Sequence, residues 1–245
     1  MAVVFILASL LGILPIAIWL VFFLWQDIKK PEPAKWILIA FLTGILLTPF
    51  IWVIETFFSK LIFTNLNNES SFWMITFYYL IIAIIEELGK FLSATLILKK
   101  NKYFDEAIDA MIYLIVLALG FALVENILAT SEDLITNNGL LVAFQTAALR
   151  FVGADLIHVL SSGLIGFFWA LSLIKKKKKY LFIGLIFGII LHTSFNIAII
   201  KLPDYLGFIA LYFISFAIFW ATAILLWVFD ITKKLKKPIK YANLK

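Results

Sequence analysis

SFWMITFYYLIIAIIEELGKFLSATLIL, residues 71–98, decides how this chain folds. A bilayer is crossed by about 20 apolar residues in a helix, and this stretch has the length and the greasiness to do so. Near its middle, however, it carries Glu86, Glu87 and Lys90. A charge at the centre of a membrane helix costs roughly 2.5 to 3.5 kcal/mol, whereas each Leu, Ile or Phe returns only about 0.3 to 0.6 kcal/mol. The segment barely inserts on its own, so its charges must face polar groups of other helices inside a bundle.

The same anomaly recurs in three further apolar runs: Glu125 in one, His158 beside Asp155 in the next, and His192 with Asn196 in a third. Both histidines of the chain lie in these runs. Residues three or four apart share a helix face. Glu86 and Lys90, Phe121 and Glu125, and His192 and Asn196 are four apart, while Asp155 and His158 are three apart. At a rise of about 1.5 Å per residue, Glu86, His158 and His192 fall near mid-depth and Glu125 somewhat nearer the outer face. Four helices can therefore aim a carboxylate or an imidazole at one buried volume.

Composition agrees with this reading. Of 245 residues 64% are apolar and only 15% charged, against about 45–50% apolar in soluble domains. The expected fold is an all-α polytopic transmembrane bundle, one integral membrane domain over residues 1–245 with its motif-bearing core at about 71–200. Seven spans are expected: Ala2 to Trp25, Lys35 to Phe58, Ser71 to Leu98, Ala107 to Ala129, Leu140 to Ile174, Tyr180 to Ile200 and Tyr205 to Phe229. The first lacks a basic leader and reads as a retained span. The fifth is long enough to tilt, to break at Gly153, or to begin as an interfacial segment.

Lysines mark alternate loops. Lys29, Lys30 and Lys35 follow the first span, Lys99, Lys100 and Lys102 the third, Lys175 to Lys179 the fifth, and six more fill the tail from Lys233 to Lys245. The other loops hold only Lys60 and Lys201 as basic residues, with Glu69, Glu132, Asp133 and Asp204. The positive-inside rule then puts the N-terminus outside and the C-terminus in the cytoplasm of a cell-membrane protein. Because the net charge of +6 sits at span ends, it orients the chain and meets anionic lipid rather than nucleic acid. There are no cysteines, which excludes disulfides, thiolate chemistry and Cys-ligated zinc.

Glutamate and histidine gathered in a membrane suit peptide-bond hydrolysis. A carboxylate takes the proton of a water as general base, and a second histidine with an asparagine donates to the developing oxyanion. Glu and His also hold catalytic Zn²⁺ with an open position; Glu86, Glu125, His158 and His192 are the candidate ligands, and a metal-free mechanism stands beside this one. Other intramembrane hydrolase patterns are absent: there is no Gly-x-Ser-Gly, no His-Glu-x-x-His, and Gly153-Ala154-Asp155 is not Gly-x-Gly-Asp. Gly184 and Gly188 precede His192 in a small-residue stripe whose plain reading is helix packing, as it is for Gly153, Gly163 and Gly166.

Four strings, in order, resemble the PrsW family of intramembrane proteases, related more distantly to the CAAX protease and Abi superfamily. They are EELGK at Glu86 to Lys90, FDEAIDAMIYLIVLALGFALVEN ending at Glu125 and Asn126, the segment from Arg150 to His158, and HTSFN at His192 to Asn196. The resemblance implies an endopeptidase that cuts single-pass membrane proteins, an anti-sigma factor being the best-known family substrate. It assigns water activation to Glu86 or Glu87 with Glu125, oxyanion stabilisation to His192 with Asn196, and a partner or ligand role to His158. Lys90, Asn126, Arg150 and Asp155 are the supporting residues. Ala107, Ala110 and Leu114 depart from the family pattern, which commonly has Pro, Gly and Gly there. The rival from another class is a proton- or ion-coupled transporter using the Glu/His cluster as a relay, although the polar pattern is not repeated between the halves of the chain.

Overall fold

The computed structural model describes residues 2–63, 72–136 and 139–235. Ser71, Glu69 and the tail lysines Lys236, Lys237, Lys240 and Lys245 lie outside the described residues. The described chain is helical: α1 Ala2–Trp25, α2 Ala34–Phe63, α3 Phe72–Leu98, α4 Ala107–Ile135, α5 Gly139–Val152, α6 Ala154–Lys175, α7 Lys179–Leu206 and α8 Ile209–Lys233. It is the expected all-α polytopic bundle. Six stretches are long and apolar enough to cross a membrane, with Gly139–Lys175 counted as one. α3, which carries Glu86, Glu87 and Lys90, is the seventh long helix.

The fifth expected span is two helices, broken at Gly153. There the backbone takes φ −117° and ψ −90°, which lies outside the helical region. A Cβ at this position would lie 2.9 Å from the Leu149 carbonyl oxygen and 3.3 Å from the Phe195 ring. Only glycine lets the chain turn so closely there. The break lets α5 lean on α1 and α4 while α6 runs into the bundle.

α4 forms the axis of the bundle. Every residue from Ala107 to Leu123 is buried, and the helix packs against α1, α2, α5 and α6. A helix that is apolar all round belongs in such a place. Its neighbours approach through glycine. A Cβ on Gly44 of α2 would fall 2.0 Å from the Leu117 carbonyl oxygen, and one on Gly120 of α4 would fall 2.1 Å from that of Phe41. On the other side, a Cβ on Gly166 would meet the Ala110 carbonyl oxygen and Met111 Cα at 2.7 Å. The close approach at the start of α4 is thus secured by a glycine on α6, although Ala110 departs from the family pattern. The Gly184 and Gly188 stripe packs against Phe168 and Ile165 of α6, in line with its plain reading. Outward faces are apolar, as lipid requires; Phe208, Tyr212, Phe216 and Phe219 are exposed.

Because a side chain at Gly120 meets backbone, nothing flexible can yield. Gly120→Val should lower the thermal midpoint of the detergent-purified protein by an amount equivalent to about 1–3 kcal/mol or more, while Leu141→Ala on the exposed face of α5 leaves it in place. An unchanged midpoint for Gly120→Val would show that α2 and α4 do not cross there.

Candidate active site

Three helices bring the expected groups together. α3 supplies Glu86, Glu87 and Lys90, α6 supplies His158, and α7 supplies His192, all buried. Glu86, Glu87, His158 and His192 each offer one ligand-type atom, and these atoms lie within 4.8 Å of one another. The two imidazole rings stand edge to face, 4.9 Å apart.

Lys90 sits at the centre of the group and is fully buried. Its Nζ donates to Glu86 Oε2 at 3.2 Å and to Glu87 Oε1 at 2.9 Å. It also lies 2.8 Å from His158 Nδ1 and 4.7 Å above the centre of the Phe121 ring. An ammonium has three donors and no acceptor, so the three bonds exhaust it. They also fix a tautomer. Nδ1 of His158 must accept, so Nε2 carries the proton and donates to Glu125 Oε2 at 2.9 Å.

Glu87 is fully satisfied. Its Oε1 accepts from Lys90 and from His192 Nδ1 at 2.8 Å, and its Oε2 accepts from Ser162 Oγ at 3.3 Å. His192 therefore presents Nε2 to the centre, 3.9 Å from Glu86 Oε2. Glu86 is less constrained. Beyond Lys90, its Oε2 lies 3.6 Å from His158 Nδ1, and the carboxyl of Glu55 on α2 faces it.

Behind His158 runs a second layer. Arg150 of α5 donates through Nη2 to Glu125 Oε2 at 3.0 Å and through Nε to Asn126 Oδ1. Asn126 in turn donates to Asp155 Oδ2 at 3.0 Å. Glu125 and Arg150 form the more open end of the site, with side chains 25% and 21% exposed, against 0–5% for Glu86, Glu87 and Lys90. Asn196, one turn after His192, is half-buried and makes no hydrogen bond among the described residues. The supporting group of Lys90, Asn126, Arg150 and Asp155 is thus assembled, whereas Asn196 stands apart from the network.

Residues 32–223 match the model of the PrsW family intramembrane metalloproteases. The chain belongs to this family. It is 28% identical over 215 residues to Protease PrsW of Clostridioides difficile, covering 86% of each chain. Protease PrsW of Oceanobacillus iheyensis is 30% identical over 76% of this chain and 79% of its own. For Protease PrsW of Bacillus subtilis the identity is 27%, over 92% and 93%. No solved structure matches. Family membership decides between the protease and transporter readings: the chain is a multi-pass membrane protease, a hydrolase of the PrsW family.

Two groups of this PrsW-family site escape the sequence reading. Glu55 sits inside the apolar run Ile-Trp-Val-Ile-Glu-Thr-Phe-Phe, and its Oε1 is buried without a hydrogen-bond partner. The criterion that singles out Glu86, an ionisable group within an apolar helix, applies to it more weakly, because Glu55 lies near the end of the expected span. Ser162 stands four residues after His158 on the same face of α6, so helical spacing points to it as well.

Removing one partner of a buried charge group leaves the others uncompensated, at a cost of about 3–5 kcal/mol. Lys90→Met should accordingly lower the thermal midpoint sharply, and Glu87→Gln in the same chain should restore part of the loss by removing one carboxylate. If Lys90→Met is as stable as wild type, protons or another cation balance Glu86 and Glu87.

Proposed function

We propose that this protease is an intramembrane endopeptidase for single-pass membrane proteins of the anti-sigma-factor kind, with Glu86 as the base. The observation that carries the reading is the meeting of Glu86, Glu87, His158 and His192 from three helices in one buried volume, with the part-exposed Glu125–Arg150 pair beside it. Glu86 is favoured over Glu87 because every oxygen of Glu87 is already committed.

In this mechanism Glu86 takes a proton from water as the water oxygen attacks the scissile carbonyl carbon. A general base contributes about 10²–10⁴-fold in rate. Lys90 donates to Glu86 and aims its carboxyl, and Glu87 fixes His192 by its Nδ1. His192 acts here as an imidazolium, its Nδ1–H donating to Glu87 and its Nε2–H to the oxyanion, and the amide of Asn196 is a second donor within one turn. Collapse of the tetrahedral intermediate breaks the C–N bond, and Glu86 returns its proton to the leaving amine. Glu125, held by Arg150, keeps His158 in the tautomer that accepts from Lys90. The lysine-rich loops support an N-terminus outside and a cytoplasmic C-terminus in the cell membrane. In that orientation the part-exposed Glu125–Arg150 pair lies on the outer side of the cluster.

A metal reading is favoured by the family's description and by the donors. Five carboxyls, Glu55, Glu86, Glu87, Glu125 and Asp155, face two permanent cations, Lys90 and Arg150. Two imidazoles and carboxylates suit Zn²⁺, and Glu86, Glu87, His158 and His192 would hold it, with Glu125 behind His158 rather than among the ligands. When bound, the ion would supply Lewis-acid polarisation of the carbonyl and a more acidic water. Zinc and the Lys90 ammonium would compete for the lone pairs of Glu86 Oε2 and His158 Nδ1, so the two readings exclude each other.

New N-termini in membranes of cells carrying wild type and Glu86→Gln at equal abundance test the reading. Glu86→Gln should reduce cleavage about 100-fold or more while the protein still folds and accumulates in the membrane, its midpoint lowered because Lys90 loses a buried partner, and Glu87→Gln should lower the midpoint further, since it also releases His192 and Ser162. Cleavage persisting in Glu86→Gln removes it as base. For the metal, protease purified through a strong chelator and free of stoichiometric transition metal should retain activity; activity lost there and restored by Zn²⁺ favours the metal reading.

A further inference from the structure

The lysine-rich end of the molecule carries a second carboxylate cluster that the proteolytic site does not use. Asp27 follows α1, Glu32 lies in the α1–α2 connection, and Asp109 is in the first turn of α4. Each offers an oxygen within 4.8 Å of the others. Asp109 stands sixteen residues before Glu125 on α4, about 24 Å along the helix, so the cluster is separate from the active site.

Asp27 and Asp109 are buried and Glu32 is half-buried, yet all three are under-bonded. Asp27 is 7% and Asp109 1% exposed. Asp109 Oδ2 accepts the backbone N–H groups of Asp105 at 2.9 Å and Glu106 at 2.7 Å, while its Oδ1 has no partner. Asp27 Oδ2 has none either. Glu32 accepts the phenol proton of Tyr113 at Oε2, which leaves Oε1. Lys30, a cation felt by Asp27 and Glu32, pairs instead with Asp105 at 2.7 Å and Glu106 at 3.2 Å. Lys233 lies near Asp27, but its Nζ bonds Gln26 Oε1 at 3.1 Å. A buried charge without a partner is expensive, and here three carboxyls converge.

We propose that Asp27, Glu32 and Asp109 form a binding site for a hard divalent cation of the Mg²⁺, Mn²⁺ or Ca²⁺ class, which fastens the α1–α2 connection to the start of α4. The donors are all oxygen, which suits these ions and not zinc or copper. Two oxygens on opposite sides of Ca²⁺, at about 2.3–2.6 Å each, are separated by about 4.6–5.2 Å, so the cluster has the span of a coordination shell. Burial pushes Asp27 up to about 6, with the Glu106 carboxylate adding to it, and burial pushes Glu32 up to about 7. Both directions mark carboxylates short of positive charge. The clamp would join the α1–α2 connection to the first turn of α4, at the end of that helix away from Glu125.

The test uses the full chain purified in detergent after EDTA treatment. Tb³⁺ is titrated with excitation of the aromatic side chains, Tyr113 being in contact with Glu32, and Ca²⁺, Mg²⁺ and Mn²⁺ are then added as competitors. Saturable luminescence should be displaced by at least one of the three at millimolar concentration. Glu32→Gln and Asp27→Asn should each weaken Tb³⁺ binding about tenfold or more, since affinity follows ligand charge, while Glu86→Gln keeps it. The thermal midpoint of wild type should rise with the competing cation, and that of Glu32→Gln, a half-buried loop residue whose change leaves the helices intact, should not. Binding unaltered by Glu32→Gln and Asp27→Asn, binding lost in Glu86→Gln, or a wild-type midpoint unmoved by all three cations would each overturn the site.

Discussion

One buried ammonium holds the Glu/His cluster of this molecule together. Lys90 contacts Glu86, Glu87 and His158 at once, and the membrane gives none of the four an alternative partner. Lipid penalises each of these groups alone, so α3 is stable as a membrane helix only when α6 and α7 close around it. The same penalty makes the geometry specific. An ammonium with three bonds has no donor left, so the tautomer of His158 follows, and with it the bond to Glu125 and the need for Arg150. A chain of single consequences runs from one lysine to five helices.

α4 gives that chain its footing. Its apolar middle is enclosed on all sides, which leaves its two ends to carry polar work: Glu125 and Asn126 toward one end, Asp109 and Tyr113 at the other. Glycines at Gly44, Gly120 and Gly166 bring backbones into contact along the axis, and dense packing of this kind resists displacement. The site is thus built on rigid elements, as catalytic groups held to fractions of an ångström require.

Much of this was legible in the sequence because lipid makes buried charge conspicuous. The insertion penalty singled out Glu86, Glu87, Lys90, Glu125, His158 and His192, and helical spacing assigned them faces. The all-α bundle followed from apolar run lengths. The break at Gly153 stood among three options, since a 35-residue apolar stretch fixes no single geometry; the collision of a Cβ with Leu149 decides it. Glu55 escaped because it lies near the end of its run, where a carboxylate can reach the interface, and only the tertiary fold turns it toward Glu86. Spacing also paired Asn196 with His192 on one face, but a shared face does not compel a hydrogen bond. Long-range partners such as Arg150 with Glu125, 25 residues apart, are invisible to periodicity altogether.

The two carboxylate clusters pose the same electrostatic problem under different solutions. Around Lys90, two carboxylates share a cation supplied by the chain itself, and hydrogen bonds from Ser162 and His192 absorb what remains. At Asp27, Glu32 and Asp109, the local lysine is committed to Asp105 and Glu106, so no side chain among the described residues answers the buried oxygens. Where the protein provides the counter-charge covalently, the arrangement is fixed by sequence and constant in composition. Where it does not, the compensating charge must come from solution as a proton or an ion, and the stability of that end becomes linked to its concentration. A covalent cation suits a cluster whose geometry is to stay fixed, and an exchangeable one suits a clamp at a loop.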